Sequence, residues 1–252
     1  MAPRDINKNA SYFDELTKFY QGVIDRDMAQ VESFDRPEGR FGMAHNLSKK
    51  SLELCIVKYG RGDEISSITP TVWQWVKAQE IHARVMAAAS PEHRKIKEMY
   101  EKVTLDTVYN ALTMMAFAKA LNFKPEELKR VIHAIGHAGE DALIDEAARA
   151  LGEVGRPVAG ACLYPKVYEP LLDVWRCDPP ERPAKLLAFA KIWKKKIKPI
   201  YWSDSLNEAE DAYFGYWSFD VALAAIALDI PDQALRDTPY YPKDLVDAAR
   251  AK

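Results

Sequence analysis

From Tyr12 to Val31 the apolar side chains return every three or four residues: Phe13, Leu16, Phe19, Tyr20, Val23, Ile24, Met28 and Val31. That spacing lines one face of a helix and fits no strand, whose side chains alternate. The rhythm resumes in "MAHNLSKKSLELCIVKYGRGD", through Leu47, Leu52, Leu54, Ile56 and Val57, and stops at Gly60 and Gly62, the usual chemistry of a helix end. It continues in "TPTVWQWVKAQEIHARVMAAA", with Pro70 near the first turn. "SPEHRKIKEMYEKVTLDTVYNALTMMAFAKALN" opens with Ser90 as cap and Pro91 at the first helical position, and reads as one long helix or two. Further helical stretches are "KPEELKRVIHAIG", "GEDALIDEAARALG", "PKVYEPLLDVWRCD", "PERPAKLLAFAKIWKKKIK", "NEAEDAYFGYWSFDVALAAIALDI" and "YPKDLVDAAR", with prolines near the junctions. No segment keeps strand alternation with β-branched enrichment. The spacing therefore predicts an all-α fold, a bundle of roughly ten helices around a central apolar one. A composition shift at 120–125 predicts a division into an N-terminal helical region, 1–122, and a C-terminal helical domain, 123–252.

The central helix is expected in the most apolar stretch of the chain. From Ala212 to Leu228 only Ser218 and Asp220 are polar. A carboxylate there is costly to bury without a partner. Asp220 is therefore expected to be a structural buried acid, held by a Lys or Arg of another helix, with Arg61 the foremost candidate, or by tyrosine hydroxyls. No uncharged apolar run is long enough to span a membrane, and the N-terminus lacks the apolar core of a signal peptide. Cys55, Cys162 and Cys177 are too few and too scattered for a disulfide framework or a zinc motif. The expectation is a cytoplasmic protein.

Charge is arranged in blocks. Residues 185–198 carry six lysines and no acid, whereas 200–252 carry ten acids against four bases. The net charge of −2 argues against nucleic-acid binding, which needs a basic excess or patch. The adjacent blocks predict an intramolecular ion-pair lattice. The acid-rich span reads either as a solvated surface balancing the lysines or as a docking face for a basic partner. Its aromatic residues, among them Tyr201, Trp202, Tyr213, Tyr216, Trp217 and Tyr240, suit a core or a binding hot spot.

Catalytic motifs are sparse. "HAIGHAGE" places His133 and His137 four apart, a spacing that can chelate zinc on a helix, with Glu140 able to add an oxygen. Ala134 stands where a metalloprotease helix needs its glutamate. "YGRGD" has glycines that follow a helix, whereas a phosphate loop precedes one. No catalytic residue, metal site, cofactor or small-molecule substrate is assigned. A metal-dependent hydrolase using His133 and His137, and a helical scaffold, remain as alternative readings.

Two segments resemble one family. "YWSDSLNEAEDAYFGYWSFDVALAAIALDIPDQALRDTPYYPKDLVDAAR" closely resembles the C-terminal domain of PoNi-type immunity proteins, and "LELCIVKYGRGDEISSI" is similar to that family's N-terminal element. Asp220 stands where the family commonly has Glu, and Ser205 where His is expected. The resemblance implies an all-α, cofactor-free protein that neutralises a cognate nuclease toxin. That toxin would be a DNase similar to PD-(D/E)xK enzymes, delivered between bacteria, often by type VI secretion. It also implies a docking face, on which Asp204, Glu208, Asp211 and Asp232 are the expected toxin-binding residues.

Overall fold

A computed structural model describes residues 2–207 and 213–251. Its described residues form eleven α-helices and no strand, so the chain is all-α. They divide into two compact units, Met1–Lys102 and Val103–Lys252.

The first unit is built from long helices: α1 (Ala10–Gln30), α2 (Pro37–Arg61), α3 (Thr69–Ala87) and the short α4 (Arg94–Glu101). Asn9 caps α1, its side chain accepting the Tyr12 amide at 2.9 Å. One stripe of α1, Phe13, Leu16, Tyr20 and Ile24, is buried, while Phe19 points outward. Helix α2 packs on α1, α3 and α4 and is buried almost all round from Leu52 to Val57. It ends where Gly62 takes φ +101°, a conformation a side chain would strain.

The second unit uses shorter helices: α5 (Leu105–Ala120), α6 (Pro125–Ile135), α7 (Ala142–Ala150), α8 (Pro165–Arg176), α9 (Arg182–Lys196), α10 (Phe219–Ala227) and α11 (Lys243–Arg250). Thr104 and Thr107 form a reciprocal cap that starts α5, so the 90–122 stretch is two helices rather than one. The division between the units falls after Lys102 instead of near 122. The reason is packing: α5 is apolar nearly all round and lies against α6, α7, α10 and α11 of the second unit.

Helix α10 is the centre of this unit, touching α5, α7, α8, α9 and α11. It is shorter than its apolar run predicts. Among the described residues the helix begins at Phe219, and Tyr213–Ser218 run into it as buried irregular chain. Gly215 at φ +119° breaks helical geometry there. The Ser218 amide then pairs with the Tyr240 carbonyl at 2.9 Å instead of with a preceding turn. No helix among the described residues is long and apolar enough to cross a membrane.

Candidate functional site

Asp220, at the start of α10, is 0 % exposed. Its Oδ2 accepts the Trp193 indole N–H at 3.1 Å and its Oδ1 accepts the Val221 amide at 2.9 Å. Tyr168 and Tyr109 face the same carboxyl. The Tyr168 hydroxyl is buried without a hydrogen bond of normal geometry, and the Tyr109 hydroxyl donates to the Trp217 carbonyl at 2.9 Å. No cation pairs with Asp220 among the described residues. Arg61, the expected partner, instead grips Asp63 at 2.7 Å and reaches Asp14 at 3.1 Å. Its side chain closes the helix end it sits on. With desolvation uncompensated by a cation, burial pushes the Asp220 carboxyl up to about 7, against the Val221 and Trp193 bonds that favour the charge. The same burial holds the Tyr109 and Tyr168 hydroxyls well above their ordinary range.

Around this acid the C-terminal aromatics form one layer. Trp193 and Tyr216 flank Trp202 at centroid distances of 6.5 and 6.1 Å, and Phe214 meets Trp202 edge-on at 5.7 Å. Tyr213 stands edge-on to Tyr216 at 4.8 Å. These rings are core, as the apolar run implies. Tyr201, half exposed, is the exception.

Among the described residues no lysine of α9 forms an ion pair with the acids that follow. Lys194 sits with its Nζ 3.3 Å from the Tyr216 ring centroid and donates to the Ser203 carbonyl. Burial draws its amine down to about 8, with Asp204 opposing the shift. Lys196 donates to the Lys166 carbonyl at 2.8 Å. Pro170, four residues on in α8, has no N–H to give that carbonyl, so the lysine supplies the donor the proline lacks. Lys191, Lys195 and Lys198 are exposed. Lys194 and Lys196, both half-buried, thus end on backbone carbonyls, whereas Lys185 pairs with Asp173 at 2.7 Å and Glu181 at 2.9 Å.

The residues expected on a docking face are placed differently from one another. Asp204 is exposed. Glu208 and Asp211 lie outside the described residues. Asp232 is 5 % exposed, and its carboxylate is occupied from within. It receives Arg250, Arg236 at 3.1 Å and the Tyr241 hydroxyl at 3.3 Å. Arg250 also reaches the Ile230 carbonyl at 2.6 Å, and Arg236 forks onto Asp247 at 2.7 Å, which holds the Asp247 carboxyl below its usual range. Asp232 thus fastens the turn after α10 to the last helix, and its acidity in the sequence is not acidity at the surface.

Two further carboxylates were not singled out by their local sequence. Asp141 caps α7, accepting Leu143 at 2.9 Å and Ile144 at 3.2 Å, and its other oxygen takes the Leu163 amide at 2.8 Å. Asp145, fully buried, takes Arg156 at 2.7 Å and the amides of Gly139 at 3.2 Å and Ala159 at 3.0 Å. Arg156 also donates to the Gly136 carbonyl at 2.6 Å. Together they fix the irregular chain from Gly152 to Leu163. Helix α6 stops at Ile135, and Gly136 and His137 take positive φ of 70° and 54°. His133 and His137 therefore do not share a helical face, which removes the geometry on which a zinc chelate at that spacing depends. His137 lies 3.2 Å from Glu140 instead. Among the described residues no three His, Cys, Asp or Glu side chains come together as a metal site.

The fold and its surface define an all-α protein whose buried acids and aromatics serve architecture. Residues 139–245 match the family of PoNe immunity proteins (PoNi), C-terminal. Over that span the chain is similar to the C-terminal part of PoNi-type immunity proteins. The matched span runs from the loop before α7 into α11 and so contains Asp141, Asp145, Asp220 and Asp232. The fold is also similar to the crystal structure of protein PA2201 from Pseudomonas aeruginosa. That likeness has a TM-score of 0.73 at 17% identity and covers 99% of this chain and 91% of the other. No curated protein sequence matches the chain.

Proposed function

We propose that this protein binds a cognate antibacterial DNase in the cytoplasm of the cell that makes it and blocks the enzyme by covering its DNA-binding or catalytic surface. The reading includes interbacterial competition, with delivery of the toxin by type VI secretion, and no enzymatic activity, cofactor, nucleic acid or membrane for the immunity protein itself. The observation that carries it is the match of residues 139–245 to PoNe immunity proteins. The acid-rich chain after α9 supports it, because a nuclease groove shaped for phosphates is basic and a row of carboxylates complements it.

The docking residues are Asp204, Glu208 and Asp211, with Asp232 acting through the turn it anchors. Mixing the purified protein with the nuclease encoded beside it should abolish DNA cleavage at a one-to-one ratio. Affinity should fall steeply between about 50 mM and about 500 mM salt, since screening shortens the reach of exposed charges. Unimpeded cleavage would reject the function, and salt-independent affinity would reject the electrostatic face.

A further inference from the structure

We infer that the first unit holds a binding site for a small organic monocarboxylate, in the cavity between the start of α2 and the end of α3, with Arg40 as the group that receives the acid. The family match covers 139–245 and leaves this unit outside it, and the site does not depend on the docking role proposed above. The cavity measures about 370 Å³, within the range of small-molecule sites. Pro37 and Phe41 from the first turns of α2, with Val85 and Ala88 from the end of α3, give it apolar walls. Most polar groups on its lining are engaged with one another. Glu32 pairs with Arg84 at 2.6 Å. The Ser90 hydroxyl donates to Glu92 at 2.9 Å and lies 2.7 Å from His93 Nδ1. His93 Nε2 lies 3.0 Å from Glu38, and the imidazole stands edge-on to Phe41 at 5.6 Å. Arg40 is the exception. It is half-buried on the same lining, and among the described residues its side chain has neither a hydrogen bond nor an ion pair.

The lining sets the class of ligand. A guanidinium presents a planar fork that receives a carboxylate through two parallel N–H···O bonds, and the bonds strengthen where apolar walls thin the water. Glu32 and Glu92 share the cavity, so a second negative charge on the ligand would be repelled, which favours a carboxylate over a doubly charged phosphate. The walls ask for an apolar body behind the acid, since burying apolar surface supplies most of the affinity of such sites. The wall carrying His93 is preformed: the ring is held at both nitrogens and against Phe41, so little order has to be imposed when a ligand enters.

Titration of the full, isotope-labelled chain with 3-phenylpropionate, followed by amide NMR shifts, tests the site. The amides of Phe41, Val85 and Ala88 should move with a Kd of about 1 mM, while those of α10 stay still. Three comparisons separate the fork from simple apolar uptake. Arg40→Met, which keeps the stem and removes the guanidinium, should weaken binding about tenfold. The neutral amide of the same probe should bind the unsubstituted protein about tenfold more weakly, and 2-phenylethylphosphonate, with its second charge, should also bind more weakly. Ala88→Trp places a ring on the cavity wall at an exposed position that the fold tolerates, and should abolish binding. The inference is overturned if the three amides do not move by about 20 mM probe, far above the expected Kd. It is equally overturned if Arg40→Met and the amide bind as tightly as the unsubstituted pair, or if the phosphonate binds more tightly than the carboxylate. Because no nuclease is present, the outcome is independent of the docking role.

Discussion

The two units solve the same problem by different means. In Met1–Lys102 the core is enclosed by helices of 21, 25 and 19 residues whose backbone groups satisfy themselves. In Val103–Lys252 the helices that follow α5 are 8 to 15 residues long and are joined by irregular chain that leaves amides and carbonyls over. Buried carboxylates take up that surplus. Asp141 and Asp145 hold the loop from Gly152 to Leu163, Asp232 holds the turn after α10, and Asp220 sits at the head of α10 itself. A unit built this way is only as stable as the pairing of its acids, and the pairing differs from one acid to the next.

Removing the best-paired acid should have the largest effect. Asp145→Ala strands Arg156, whose side chain is almost fully buried, together with the amides of Gly139 and Ala159. Breaking a buried pair from one side costs on the order of 3–5 kcal/mol. Urea unfolding should show the unfolding free energy falling by that amount, read from the lowered midpoint and the m-value. A loss below about 1 kcal/mol would mean that the carboxylate does not organise the loop.

Asp220 should behave in the opposite way, because it has no cation to lose. Its carboxyl titrates near 7 in the folded protein, against an ordinary 3.8. Below 3.8 both folded and unfolded chains hold the proton, and the stability linked to this group is complete. Between 3.8 and 7 the unfolded chain releases the proton while the folded chain keeps it, so stability falls as pH rises. At about 1.4 kcal/mol per pH unit, the loss from pH 5 to pH 8 is on the order of 2–3 kcal/mol. Asp220→Asn removes that slope. Its amide oxygen can accept from Trp193 or from Val221 but not from both, a loss of about 1 kcal/mol that is smaller than the relief of no longer burying a charge at pH 8. Denaturant titrations at pH 5 and pH 8 should therefore show the variant no less stable than the unsubstituted protein at pH 8. Parallel pH slopes for the two proteins would show that another group carries the effect.

The contrast between the units also explains what could be read from the sequence. In the first unit the three-and-four spacing locates the helices well, since long regular helices print their period on the chain. Even there Phe19 keeps the period yet faces outward, because the buried stripe of α1 is narrower than the apolar one. In the second unit the apolar run through Asp220 identifies the central helix but not its start. Apolarity marks burial, and Tyr213–Ser218 are buried without being helical. The acids were the hardest to read. Asp232 and Asp204 look alike in the sequence, and one is enclosed by Arg236, Arg250 and Tyr241 while the other is exposed. The partners of Asp145 and Asp220 lie 11 and 27 residues away, and no local pattern announces them. Lys194 was one of six lysines, and only the fold singles it out.

Asp232 should fall between Asp145 and the surface. Arg250→Met removes its shortest contact and the bond to the Ile230 carbonyl, but Arg236 and the Tyr241 hydroxyl remain. With Arg250 about one-third exposed, the loss should be about 1–2 kcal/mol. Differential scanning calorimetry would read it as a modest fall in Tm. A collapse comparable to that of Asp145→Ala would mean that Arg236 does not back up the pair.

The smallest effect belongs to the first unit and sharpens the contrast. Glu32 and Arg84 meet at 2.6 Å, as close as many contacts in the second unit, yet their side chains are 64% and 59% exposed. Water solvates both charges before and after folding, so the pair gains little from meeting and is further weakened by salt. Glu32→Gln should change unfolding stability by roughly half a kcal/mol or less. The same distance that marks structural dependence in the second unit would then mark almost none here, because burial rather than contact length sets the energy of an ion pair. If Glu32→Gln cost as much as Arg250→Met, the reading of the second unit as the one that depends on its acids would lose its basis.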